Sequence, residues 1–128
     1  MESFLVLIFL IITLMYILSG KNKILNFRSD SDGLNDKVSF LGKTSSDLLM
    51  TCAILIEIIA PVILLLFALG VVKDKLYCTL AALSLVAFTI AATLIYHFPP
   101  KGSQYYPFMS NLTSVGALLL IIYVIHKQ

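Results

Sequence analysis

The chain has 128 residues, 59% of them hydrophobic and 12% charged, with a formal net charge of +2 and a mean hydropathy of +0.98. Its apolar residues fall in long runs without strand-like alternation, which excludes an ordinary soluble domain and predicts an all-α, polytopic membrane protein. At roughly 20 residues per crossing, four helices nearly exhaust the length, so the expectation is a single four-transmembrane-helix bundle over residues 1–128. The positive charges are scattered along the loops with no basic face or aromatic platform, which excludes nucleic-acid binding.

The first apolar run, FLVLIFLIITLMYILS, predicts a helix over 4–19. Only Glu2 is charged ahead of it, and Ser19 and Gly20 lead straight into Lys21, so it lacks the basic start and small-residue exit of a cleaved signal. An uncleaved first helix is expected. Residues 20–47 carry most of the charges, and Gly33 and Gly42 mark turns. Phe27, Leu34, Val38 and Phe40 let short pieces of this polar loop lie at the membrane interface.

The second helix is expected over 48–69, with Ser45, Ser46 and Asp47 as candidate N-caps. Pro61 lies four residues beyond Glu57, where its ring clashes with the carbonyl of residue 57 and predicts a kink. VVKDK makes the next turn, and a third helix over 76–98 ends at Pro99 and Pro100. A short loop leads to the fourth helix, over 108–125, with Tyr105 and Tyr106 placed for the aromatic belt.

Four crossings put both termini and the 71–75 turn on one side, side A, and loops 20–47 and 99–107 on the other, side B. Lys73, Lys75 and Lys127 fall on side A, against Lys21, Lys23, Arg28, Lys37, Lys43 and Lys101 on side B. The positive-inside rule then predicts a cytoplasmic side B, with the termini opposite. Glu57 lies about 12 to 15 Å below the side B surface, from the rise of 1.5 Å per residue. Tyr16, His97 and Asn111 lie nearer that surface, so polarity collects in the side B half of the bundle.

A carboxylate within an apolar span must be neutralised, paired or wetted. One reading makes Glu57 the floor of a cavity open to side B, with Tyr16, His97 and Asn111 nearer the mouth. Such a cavity suits a quinone head group, a small thiol or sulfur compound, or a proton relay. The other reading is structural, with Glu57 protonated or hydrogen-bonded to Thr13, Thr51 or a neighbouring chain. Direct pairing with His97 is disfavoured by a depth difference of roughly 15 Å, and His97 reads as an interfacial anchor. Cys52 and Cys78 fall near opposite membrane faces, too far apart for a disulfide. No CxxC, haem, metal-ligand, dinucleotide or serine-nucleophile motif is present. Redox chemistry would therefore need a diffusible carrier or a partner subunit.

The segment FLIITLMYILSGKNKI, the buried Glu57 in IEIIAP, and NLTSVGALLLI resemble, in that order, the first, second and last helices of the DoxX-like family of small four-helix membrane proteins. Gly20, Lys21 or Lys23, Glu57 and Asn111 are the matching positions. This chain departs from the family pattern where Glu2 and apolar residues replace an early Arg, and where Ala117 follows Gly116 in place of a second Gly. That Arg would be a partner for the buried acid. The resemblance implies a compact bundle, and for some members a link to thiosulfate or thiol oxidation with quinone as the carrier. The preferred expectation is a membrane scaffold or assembly component contacting other membrane or coat proteins, a form that suits a small viral or organellar protein. The alternative is a DoxX-like subunit of a quinone-linked oxidoreductase. A dry interior around Glu57 favours the first, and an opening bordered by Glu57, Tyr16 and Asn111 the second.

Overall fold

The computed structural model describes residues 3–37 and 39–128, with the side chain of Leu41 also outside the description; Glu2 and Val38, read above, lie outside the described residues. Five helices follow in order: α1 (Ser3–Leu25), α2 (Phe27–Lys37), α3 (Lys43–Ala68), α4 (Lys75–Tyr96) and α5 (Tyr105–Lys127), with short 3-10 turns at Ser39–Leu41 and Gly102–Gln104. Among the described residues there is no strand. The α1, α3 and α4 helices, and α5 with the turn before it, are each long and apolar enough to cross a membrane.

Each crossing helix is apolar around most of its circumference, so hydrophobicity alone does not choose which face turns inward. Small and polar residues mark the inward stripes instead. On α1 the buried positions are Phe9, Thr13, Tyr16 and Gly20, three or four apart and therefore on one face. Leu64, Leu85, Leu118, Ile121 and Ile125 complete a core at the opposite end. Exposed apolar residues such as Ile11, Leu55 and Leu119 face outward, as expected where the surrounding solvent is hydrocarbon. The helices pack in the ring α1–α3–α4–α5, and the closing seam between α5 and α1 is the slightest of the four.

The largest departures from the sequence reading fall in residues 20–47. The α1 helix does not stop at Ser19 but continues to Leu25, because Gly20 brings its backbone against α3. A Cβ added at Gly20 would lie 2.7 Å from Ile58 Cδ1 and 3.2 Å from Glu57 Cβ. The expected interfacial loop contains α2, an 11-residue helix with Asp30 in its first turn and Lys37 in its last, charges that complement the helix dipole. Ser31 and Leu34 turn inward from it.

Ser45, Ser46 and Asp47 do not cap α3, which begins earlier, with Gly42 at the N-cap and no side-chain cap. Asp47 binds α2 instead, accepting from Ser31, while the one hydrogen of the Ser46 hydroxyl lies between Gly42 O at 3.1 Å and Asn35 Oδ1 of α2 at 3.3 Å. Lys43 adds an exposed ion pair to Asp32. Pro61 is accommodated inside one continuous α3 rather than splitting it. That helix ends in a Schellman motif, with Gly70 at φ 83°, its N–H donating to Phe67 O and the Val71 N–H to Leu66 O. Asp74 then caps α4 by accepting from the Leu76 N–H at 2.9 Å.

Candidate functional site

The side B half of the bundle holds a cavity of about 1110 Å³, walled by α1, α3 and α4, crossed by α2 and bordered from α5 by Asn111. Tyr16, Glu57, His97 and Asn111, the candidates read from the sequence, all border it. They do not form one cluster, because each is held by a different partner.

Glu57 is 1% exposed, and Lys23 Nζ lies 2.5 Å from its Oε1. The contact is an ion pair without hydrogen-bond alignment, since Oε1 has no aligned donor. The same ammonium donates to Ser19 Oγ at 2.8 Å and stands 5.7 Å from the centre of the Phe88 ring, within cation–π range. Lys23 keeps 24% of its side chain exposed. Although Glu57 borders the cavity, a ligand therefore meets the lysine before the carboxylate.

The partners expected for Glu57 are engaged elsewhere. Thr13 donates to Phe9 O at 2.7 Å and Thr51 to Asp47 O at 2.9 Å, each satisfying its own helix. The extension of α1 explains the change, because residues 16, 20 and 23 share a helical face. Gly20 lets that face close on α3, and Lys23, one turn on, points back at the acid. Of the two lysines matched by resemblance, Lys23 makes the pair and Lys21 is exposed. The continued spacing of Phe9, Thr13, Tyr16 and Gly20 was the signal that would have extended the helix and found Lys23.

Tyr16 is 3% exposed, and its hydroxyl lies 2.7 Å from Thr89 Oγ1. Thr89 already donates its one hydroxyl hydrogen to Leu85 O at 2.7 Å, so Tyr16 is the donor to Thr89. This bond ties α1 to α4 across the bundle and leaves the phenol oxygen with acceptor capacity. At the end of α4, His97 Nδ1 lies 2.6 Å from Gln104 Oε1. The amide oxygen only accepts, so Nδ1 carries the hydrogen of this bond. His97 and Glu57 are not paired.

Cys52 is exposed and borders the cavity, whereas Cys78 is buried; both are free thiols. Among the described residues no group of three His, Cys, Asp or Glu side chains is arranged to hold a metal ion.

Fold and site together define a multi-pass integral membrane protein whose crossing helices enclose an internal ion pair beside an amphipathic cavity. The family model described as DoxX matches residues 4–98, and the chain belongs to the DoxX family. The matched span includes all the cavity-bordering residues named above except Asn111. No curated protein and no solved structure matches the chain.

Proposed function

We propose that this protein is a quinone-binding membrane subunit of a larger oxidoreductase assembly, in which Lys23 meets a carbonyl oxygen of the quinone head group. One observation carries the reading: an ammonium group is held at the wall of a largely apolar cavity by a carboxylate that is itself 1% exposed. Ammonium has three hydrogens. Ser19 and Glu57 engage it from two directions, leaving a donor for a further acceptor. Because Lys23 and Glu57 balance each other, the site needs no charged ligand and suits a neutral ring with carbonyl acceptors. Its volume slightly exceeds the roughly 300–1,000 Å³ of ordinary small-molecule sites, which leaves room for a head group and the start of a chain.

A bound quinone supplies two-electron carrier chemistry. This chain supplies binding and orientation: Glu57 fixes the lysine, the Tyr16–Thr89 bond fixes the floor, and Asn111 and His97 Nε2 offer polar contacts toward the mouth. The sequence carries no CxxC or haem motif, so the reading assigns electron delivery to a partner subunit. It also keeps loops 20–47 and 99–107 cytoplasmic, from the Lys and Arg bias. The scaffold reading draws on the internal pairing of Glu57 and on contacts to other membrane or coat proteins through the loops. The exposed share of Lys23 is the feature it leaves unused.

Quinone binding to the purified protein in nanodiscs tests the choice. The expected result is saturable binding that falls about tenfold or more in Lys23→Met, with a smaller loss in Asn111→Ala at the mouth. Absence of binding by the folded wild-type protein, or undiminished affinity in both variants, would return the scaffold reading.

A further inference from the structure

We infer that the cavity is reached sideways from the bilayer through the α1–α5 seam, and that its ligand is a lipid-dissolved amphiphile. Its hydrogen-bond-accepting head sits at Lys23, and its hydrocarbon chain lies along the outer face of α1. The inference rests on the quinone reading of the head-group site and adds the chain, its groove and its route.

The α5 helix is seated in the core only through its C-terminal half. Its buried residues are Leu118, Ile121 and Ile125, and no residue from Tyr105 to Ala117 is buried. The α1 helix, by contrast, is buried as far along as Tyr16 and Gly20, on side B. The α5 helix therefore packs less closely toward side B, where Ser114 is the side chain that reaches across the seam to the Tyr16 hydroxyl and the cavity lies beside it.

The cavity wall follows this gap outward. Besides Tyr16, Ser19 and Lys23 on the inner flank of α1, it includes Ile11, Leu14, Met15 and Leu18. These four are 63%, 46%, 45% and 49% exposed. Their spacing of three to four residues puts them on one stripe, turned away from the buried Phe9, Thr13, Tyr16 and Gly20. Side chains that border the cavity and also face outward within a crossing helix mark where it meets hydrocarbon; Leu49 of α3 and Ala91 of α4 do so on the other flank, but the four on α1 make the longest apolar stripe.

The aqueous end is built differently. Asp30, Gly33 and Leu34 of α2 border the cavity on side B, and α2 is held to the start of α3 by the Ser31–Asp47 bond and the Lys43–Asp32 pair. A helix fixed over the watery mouth and a loose apolar seam on the lipid side select a ligand already dissolved in the membrane.

The test compares a decyl-tailed benzoquinone with the same ring lacking the tail, binding to the full-length protein in nanodiscs. Met15→Trp and Leu18→Trp fill the stripe at exposed positions, where folding is preserved, and Ile90→Trp is the control on an exposed face that does not border the cavity. The expected result is that both stripe variants weaken the tailed ring about tenfold or more, leave the tail-less ring unchanged, and differ from the control. Equal loss for both rings, or no loss for either, overturns the lateral route while leaving the head-group reading intact. If Lys23→Met binds normally but the stripe variants still exclude the tailed ring, the route stands and the head-group assignment falls. Failure of the wild-type protein to bind either ring ends both.

Discussion

Breaking the Lys23–Glu57 pair from its two ends should have unequal effects, because the partners are buried to different degrees. Glu57 is 1% exposed and Lys23 24% exposed. In Lys23→Met the carboxylate remains in place with no aligned donor, since its Oε1 has none even in the wild-type protein. Removing one partner of a buried pair costs about 3–5 kcal/mol. In Glu57→Gln the lysine keeps its 2.8 Å bond to Ser19 and can turn its head into the cavity. The expected cost there is about 1 kcal/mol, near that of a partly exposed ion pair. The double variant leaves no uncompensated charge and should be more stable than Lys23→Met alone, with a coupling of about 2 kcal/mol or more. Equilibrium unfolding in mixed micelles, followed by helicity, reads all four corners of the cycle. Equal costs for the two single changes, or simple additivity, would refute the view that the lysine shields a buried acid.

The approach of α1 to α3 gives a second expectation. Gly20→Ala places a methyl group 2.7 Å from Ile58 Cδ1, and overpacking of about 1–3 kcal/mol should exceed the roughly 1 kcal/mol that alanine gains in a helix. The net loss, about 1 kcal/mol, should shrink in Gly20→Ala/Ile58→Val, where Cδ1 is absent; an unfolding series showing no rescue would place the strain elsewhere. The attachment of α2 gives a third. Ser31 is buried and donates to Asp47, so Ser31→Ala should remove about 1.5–3 kcal/mol and raise hydrogen exchange across Phe27–Lys37. Lys43→Gln removes only half-exposed pairs, to Asp32 and Asp47, and its effect should stay below about 1 kcal/mol and fade with added salt. Equal exchange in the two variants would mean that the serine bond does not hold α2.

The class of protein was legible from composition, because crossing a bilayer demands long apolar runs that leave little else in a chain of this length. Glu57 was legible for the same reason: a carboxylate among apolar residues stands out wherever its helix turns. Tyr16, His97 and Asn111 were found by depth, since residue count along a helix measures distance through the membrane. The N-caps at Ser45, Ser46 and Asp47 were local inferences, and the structure uses those residues differently. The neighbouring α2 offered Asp47 a better partner, the Ser31 hydroxyl, than the orphan amides of its own helix.

Sequence by itself determined the number of crossing segments, the polar half of the bundle and the acid that had to be satisfied, because these follow from the transfer of side chains into hydrocarbon. Only the tertiary structure decided that α1 runs on to Leu25, that Lys23 rather than Lys21 turns inward, and that α2 borders the cavity. In helices apolar around most of their circumference, facing and closure are set by packing between small residues such as Gly20 and the side chains they admit. Sequence records the residues at such a contact, while their meeting depends on how the helices come together.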